Sequence, residues 1–298
     1  MNKQPGSNNH NSPAEAVSKA EEALDQLVFS PPGTTKVRHR DKALHALDYA
    51  GIPYVLFGSA FLFLLIAWDI FGGTSKFPVK SFYMLPHYVD WPVHAWVKGT
   101  FPPMLRDMAA EKLMSNLPIY LGSVGWLACA FAAVVQNPAR GSRGVGITVF
   151  AMWIVSGVGS GRSDVLIVDI LKQYFQRVRP SDIHQSFAFP SGHTTFSVFV
   201  LGALLYVIVP LCVAGPEGDT EGGDLTAKES RVLDVLVSAV QASALPLWIL
   251  GGAVTASGRI LADVHWVSDT MGGACLGVFM VSLAANVCKT LRARPPLH

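Results

Sequence analysis

The chain has 298 residues, half of them hydrophobic and only 15% charged, with a mean hydropathy of +0.36. Soluble domains carry about 25% charged residues, so this composition excludes an ordinary soluble protein and points to an integral membrane domain. A net charge of +2 is too small to imply nucleic acid as a partner.

Residues 1–45 read as a polar N-terminal extension and 46–298 as one membrane domain. Residues 1–12 are rich in Asn, Gly and Ser, a composition that disfavours order. Ser12-Pro13-Ala14-Glu15 has the form of a capping box with proline at the first helical position. Val17, Ala20, Leu24 and Leu27 then follow at helical spacing, predicting a short amphipathic helix that packs on the domain or lies on the membrane. The extreme N-terminus has no apolar signal sequence. Glu15, Glu21, Glu22 and Asp25 argue against an ordinary organelle transit peptide.

Six apolar segments approach or exceed the roughly 20 residues that cross a bilayer. They are predicted at about 50–71, 117–136, 145–171, 193–213, 235–257 and 267–288, with Pro246 kinking the fifth. A long loop is expected between the first two. Its Asp90-Trp-Pro-Val-His-Ala-Trp96 stretch suits the aromatic belt, so His94 and Trp96 are read as interfacial anchors rather than as the border of a substrate entrance. The third segment exceeds the bilayer core, so its far end should project into the headgroups. Arg162, Asp164 and Asp169 there are read as pairing with one another or with Lys172. Ala214 to Lys228 reads as a solvated acidic linker. Cys129, Cys212, Cys275 and Cys288 fit neither a zinc site nor a disulfide framework, and read as buried small hydrophobes. His39, His45, His87 and His184 carry no spacing signal. The expected fold is all-α, a six-helix transmembrane bundle. Lys36, Arg38, Arg40 and Lys42 precede the first segment, Arg140 and Arg143 lie in the 137–144 turn, and Lys289, Arg292 and Arg294 are in the tail. The positive-inside rule then puts both termini on the cytosolic side, with the active site on the opposite face of an unspecified membrane.

Three blocks emerge on that opposite face. The first runs from Lys172 to Arg179-Pro180. Its two cations are seven residues apart, two turns along one helix face, and Pro180 ends that helix. A point charge and a bidentate fork suit phosphate. By itself this pair could equally be two snorkelling cations. Arg177 lies well off that face and is not assigned to catalysis. The second block, Pro190-Ser191-Gly192-His193, sits where a loop turns into a span. Ser191 as N-cap would leave the amides of Gly192 and His193 at a positive helix end, an anion site. Alone it could be an ordinary capped helix. In the third, Asp269 follows His265 by four residues, so its carboxylate can fix the tautomer and leave the other ring nitrogen nucleophilic. Alone it could be a structural pair. Arg259 would need a bend near Gly258 to join it.

The pattern Lys-x6-Arg-Pro, Pro-Ser-Gly-His and Arg-x5-His-x3-Asp resembles the type 2 phosphatidic acid phosphatase (PAP2) superfamily, over about residues 50–288. That group includes lipid phosphate phosphatases, prenyl diphosphate phosphatases, glucose-6-phosphatase and vanadium haloperoxidases. The resemblance implies that His265 attacks phosphorus to form a phosphohistidine, with Asp269 orienting it. It implies that His193 protonates the leaving alcohol and then activates water. Lys172, Arg179 and Arg259 would hold the phosphate oxygens, assisted by Ser191 and Gly192. No metal or other cofactor is implied. One departure stands out: the family commonly has Ser-Arg at the head of the third block, where this chain has Gly258-Arg259, with Ser257 one place earlier. The expected partners are the membrane and a lipid phosphate substrate, a phosphatidate-type monoester or a prenyl diphosphate. Three alternatives stay open: a phosphatase for a soluble ester, a vanadate-dependent haloperoxidase, and a non-catalytic lipid-binding or transport relative. Oligomeric state is unreadable.

Overall fold

A computed structural model describes residues 45–135, 166–181, 186–214 and 227–292. These residues form α1 (Pro53–Phe71), α2 (Trp91–Thr100), α3 (Leu117–Val135), α4 (Leu166–Phe175), α5 (Gly192–Ala203), α6 (Ala227–Leu261) and α7 (Val267–Arg292). Wider π-helical turns run over Pro86–Asp90, Arg106–Met114 and Leu204–Ile208. The last of these carries α5 on into a further helical stretch, Val209–Ala214. Among the described residues no strand forms beyond one isolated bridge, Gly72 to Phe77. The fold is all-α, and the chain is a multi-pass membrane protein.

Among the described residues, five helical stretches are long and apolar enough to cross a bilayer: His45–Phe71, Pro103–Ala132, Gly192–Cys212, Ser238–Leu261 and Val267–Thr290. They coincide with five of the six segments expected from hydropathy. Residues 136–165, which hold most of the remaining segment together with Arg162 and Asp164, lie outside the described residues. So do the N-terminal helix and the acidic linker; Asp169 is half-buried on α4. Pro246 falls within α6, and the helix continues through it.

Helix α7 is the centre of the bundle and packs against α1 and α5, while α6 packs against α5 and the 106–114 turn. Small residues make these contacts close. A Cβ on Gly273 would stand 2.6 Å from the Ser191 carbonyl oxygen, and one on Gly277 2.8 Å from that of Thr195. In lipid, where no hydrophobic force drives helices together, such close approach is how packing supplies stability. Here it presses the head of α5 onto the head of α7. The faces of α1 that point away leave Tyr54, Phe57, Phe61 and Leu64 exposed, as lipid contact requires.

One correction concerns residues 72–116. Where the sequence suggested a long loop, 86–114 is largely helical, and it buries Asp90, Val97 and Ala110. Pro86 and Pro103 sit in the first turn of a helical stretch, where a missing N–H costs little, whereas Pro92 lies inside the continuous helical stretch 84–100.

Candidate active site

The first block does not have the geometry its spacing implied. Helix α4 stops at Phe175, because Gln176 adopts a left-handed φ of 53° and its amide bonds back to the Lys172 carbonyl at 2.8 Å. Phe175 is anchored in an aromatic cluster with Phe63, Phe71 and Phe189. The chain beyond has no regular helix, so Lys172 and Arg179 do not share a helix face. In extended backbone, alternate residues point the same way. Arg177 and Arg179 are half-buried together, while Val178 between them is 76% exposed. The reason for setting Arg177 aside, its place off a helix face, therefore fails.

Arg179 reaches across the site. Its Nη1 donates to the Val264 carbonyl at 2.6 Å and lies 3.1 Å from His265 Nε2. Its Nε and Nη2 donate to the carbonyl and hydroxyl oxygens of Ser186, at 2.7 and 2.8 Å. Lys172, only 3% exposed, lies within electrostatic reach of Arg179, Arg259 and Asp269. Arg259 is equally buried, 3.9 Å from Glu111 Oε1, and its Nε has no hydrogen-bond partner among the described residues.

Gly258 explains the departure at the head of the third block. A Cβ there would stand 2.7 Å from the Ser115 amide nitrogen and 2.8 Å from the Ala110 carbonyl oxygen. The 106–114 turn occupies the room a serine would need, and the same turn brings Glu111 to Arg259.

Ser191 takes the N-cap position of α5 but makes no capping bond with its side chain. Its hydroxyl lies 3.1 Å from Thr194 Oγ1, and its carbonyl accepts the Thr195 amide at 3.0 Å. Its own amide donates to the Asp269 carbonyl at 3.0 Å, joining the second block to the third. The amides of Gly192 and His193 open the helix, at its positive end. His193 is half-buried and close enough to His265 for its charge to be felt there.

His265 lies in the short connection between α6 and α7, which Asp263 turns with a φ of 62°. That bend carries Arg259 and His265 into one place. His265 Nδ1 is 3.4 Å from Asp269 Oδ2, which also accepts the Trp266 amide at 2.9 Å. Burial, then the charges of Arg179, Arg259, Lys172 and His193, hold the His265 pKa well below its ordinary 6.5. A buried imidazole so placed stays neutral at neutral pH, the state a nucleophile needs.

Beyond the three blocks, the site has a shell that sequence spacing missed. Arg177 Nη1 donates to Asp269 Oδ1 at 2.6 Å and to Ser268 Oγ at 2.7 Å, while its Nη2 donates to Asp90 Oδ2 at 2.7 Å. Burial opposes the Arg177 charge, but Asp269 and Asp90 outweigh it and raise its pKa. His94 is not an interfacial anchor: its Nδ1 lies 2.6 Å from Asp263 Oδ1. Trp96 is half exposed, packed edge-on to Phe101. The one signal for these residues was their type: Asp90 and His94 are the only ionisable groups in an aromatic stretch, and Asp263 sits between Arg259 and His265.

The family model of the PAP2 superfamily matches residues 146–293, a segment that holds all three blocks. Among curated proteins the comparison found no match. The fold is similar to the solved structure of a transmembrane PAP2 type phosphatidylglycerolphosphate phosphatase from Bacillus subtilis. The TM-score is 0.53 at 18% identity, over 81% of this chain and 100% of that one. At such identity the likeness speaks for the fold alone. The chain belongs to the PAP2 superfamily, which places it among membrane phosphatases.

Proposed function

We propose that this PAP2-superfamily chain removes phosphate from a lipid phosphate through a phosphohistidine on His265. The observation that carries the reading is the surroundings of one ring. His265 presents Nδ1 to the Asp269 carboxylate and Nε2 to Arg179, with Lys172 and Arg259 in electrostatic reach. Asp269 takes the Nδ1 proton as hydrogen-bond acceptor, so the lone pair is on Nε2. That nitrogen attacks phosphorus. The P–O bond to the lipid breaks, and His193 gives its proton to the leaving oxygen. Water then attacks phosphorus while His193 takes a water proton; the P–N bond breaks, its electron pair returns to Nε2, and inorganic phosphate leaves with His265 neutral again. Three cations and the head of α5 stabilise the charge that gathers on the non-bridging oxygens.

A phosphatidate-type monoester is the substrate class we favour, with prenyl diphosphates next. The support is the placement of the blocks at the ends of membrane helices and the substrate named for the structural neighbour. Both termini on the cytosolic side, and the site on the opposite face, remain part of this proposal. The test is phosphate release by purified protein in mixed micelles with EDTA present. The substrates are phosphatidate, phosphatidylglycerolphosphate, a prenyl diphosphate and glucose 6-phosphate, and His265→Ala runs in parallel. Release from the lipids that vanishes in the variant is expected. Release unchanged by the substitution overturns the histidine mechanism, and preference for glucose 6-phosphate overturns the lipid substrate.

A further inference from the structure

The contacts behind Asp269 have no part in the chemistry just described, yet they form a deeply buried polar assembly. Asp269 is 0% exposed, Asp90 1%, Ser268 0%, and the Arg177 side chain 11%. Asp90, Ser268 and Arg177 each bond the other two, and Asp269 joins them through Arg177. Arg177 bonds Asp90, Ser268 and Asp269. Ser268 gives its hydroxyl to Asp90 Oδ2 at 2.6 Å and its amide to Asp90 Oδ1 at 3.0 Å. Burying two carboxylates and one guanidinium is costly, and leaving any of them unpaired costs more. Such an assembly is a strong constraint on the position of whatever its edge touches.

Its edge touches His265. The Asp269 carboxylate divides its two oxygens: Oδ1 takes Arg177, and Oδ2 takes the Trp266 amide and faces His265 Nδ1. A carboxylate held at one oxygen only can rotate about its side-chain bonds. Held at both, it has one orientation, and that orientation sets the imidazole. We propose that Arg177 and Asp90 are positioning residues of the phosphoryl-transfer reaction, fixing Asp269 so that His265 Nε2 faces the phosphorus. Asp90 acts through Arg177: it anchors the far prong of the fork from the 86–90 turn, a separate part of the chain. The planar fork matters here, because a lysine ammonium offers no two-pronged, coplanar grip.

This inference rests on the function proposed above, and the experiment separates the two. Phosphate release from phosphatidate is measured for Arg177→Met, Arg177→Lys and Asp90→Asn in the full-length protein, with labelled substrate to reach low residual rates. Each variant lowers kcat by about 10- to 100-fold, the usual cost of removing a group that orients a working histidine. KM stays within about twofold, because these residues do not touch substrate. Arg177→Lys restores only part of the loss. In an Asp269→Asn background Arg177→Met costs less than about threefold more, since the residue it serves is already disabled. Losses that multiply in the double variant, or a KM that rises as kcat falls, overturn the proposal. If Arg177→Met does not purify as a folded protein, Asp90→Asn, which keeps side-chain shape, carries the same double-variant test. Should His265→Ala retain full activity, the phosphohistidine reading fails first; should it be inactive while the losses multiply, only the positioning role fails.

Discussion

Two buried aspartates flank His265, Asp263 just before it and Asp269 a helical turn after, and their surroundings are opposite. Asp263 gathers a histidine and two cations: His94 at 2.6 Å, Arg106 at 3.3 Å and Lys98 at 3.9 Å. Asp269 shares its one directly bonded cation, Arg177, with a second carboxylate, Asp90. These partners of the Asp263 carboxylate come from residues 94–106, so it joins the α2 region to the bend between α6 and α7. The Asp269 partners converge on the candidate nucleophile. Equal burial of the same residue type thus serves two ends. A carboxylate with several basic partners acts as a clasp, whereas one that must share its cation is held in a single orientation and can orient something else.

Replacing each by asparagine breaks the comparison most directly. Asp269→Asn should lower kcat by roughly 10³- to 10⁴-fold, the scale known for the aspartate that orients the histidine of a serine-protease triad. Asp263→Asn should act chiefly on stability. It leaves His94 and Arg106 around a neutral amide, and breaking a buried ion pair costs about 3–5 kcal/mol. Phosphate release and thermal unfolding in detergent, measured on both variants, should rank them in opposite orders. Equal kcat losses would mean that Asp263 also orients the ring.

Next in size is the contact beside the Asp263 clasp, the 106–114 turn against α6. Gly258→Ser restores the residue common in the family, yet its Cβ would meet the backbone of Ala110 and Ser115 at 2.8 and 2.7 Å. Backbone cannot swing aside, so overpacking should cost about 1–3 kcal/mol, read as a lower unfolding temperature. A neutral or stabilising effect would show that the turn yields.

Smaller again is the proton linkage of His265 itself. The unfolded chain takes a proton on this residue near pH 6.5, but the folded chain, with its pKa held well below that by burial and the surrounding cations, does not. Unfolding therefore gains protons below pH 6.5, and stability falls there by up to about 1.4 kcal/mol per pH unit from this group. Above pH 6.5 the contribution is flat. Unfolding temperatures from pH 7.5 to 5.5, for the wild type and His265→Gln, isolate the term as the difference in slope; equal slopes would remove it.

What could be read from sequence follows the same division. The five described spans were legible because length and apolarity alone define them. The three blocks were legible because each pairs chemistry-bearing residues within a few positions. The C-terminal end of α4 was not: a left-handed Gln176 has no sequence signature, and it turns a seven-residue helical spacing into an extended one. Nor were Asp90, Asp263 and Glu111, whose partners lie far along the chain. Asp90 is 87 residues from Arg177 and 178 from Ser268. Spacing rules see neighbours within an element, and the shell around a site is made between elements.

Lys98 sharpens the clasp at its weakest point. It stands 3.9 Å from Asp263 with its side chain 51% exposed, whereas His94 and Arg106 are 15% and 20% exposed. An exposed ion pair at that distance gains little Coulomb energy in water and spends side-chain entropy to form. Lys98→Ala should therefore cost about 0.2–1 kcal/mol and less in high salt. Arg106→Ala, by contrast, removes a hydrogen-bonded charge from a buried carboxylate and should cost several times more. If the two prove equal, Asp263 holds its surroundings by net charge alone. If only Arg106 matters, geometry makes the clasp, as it does for the fork between Asp90 and Asp269.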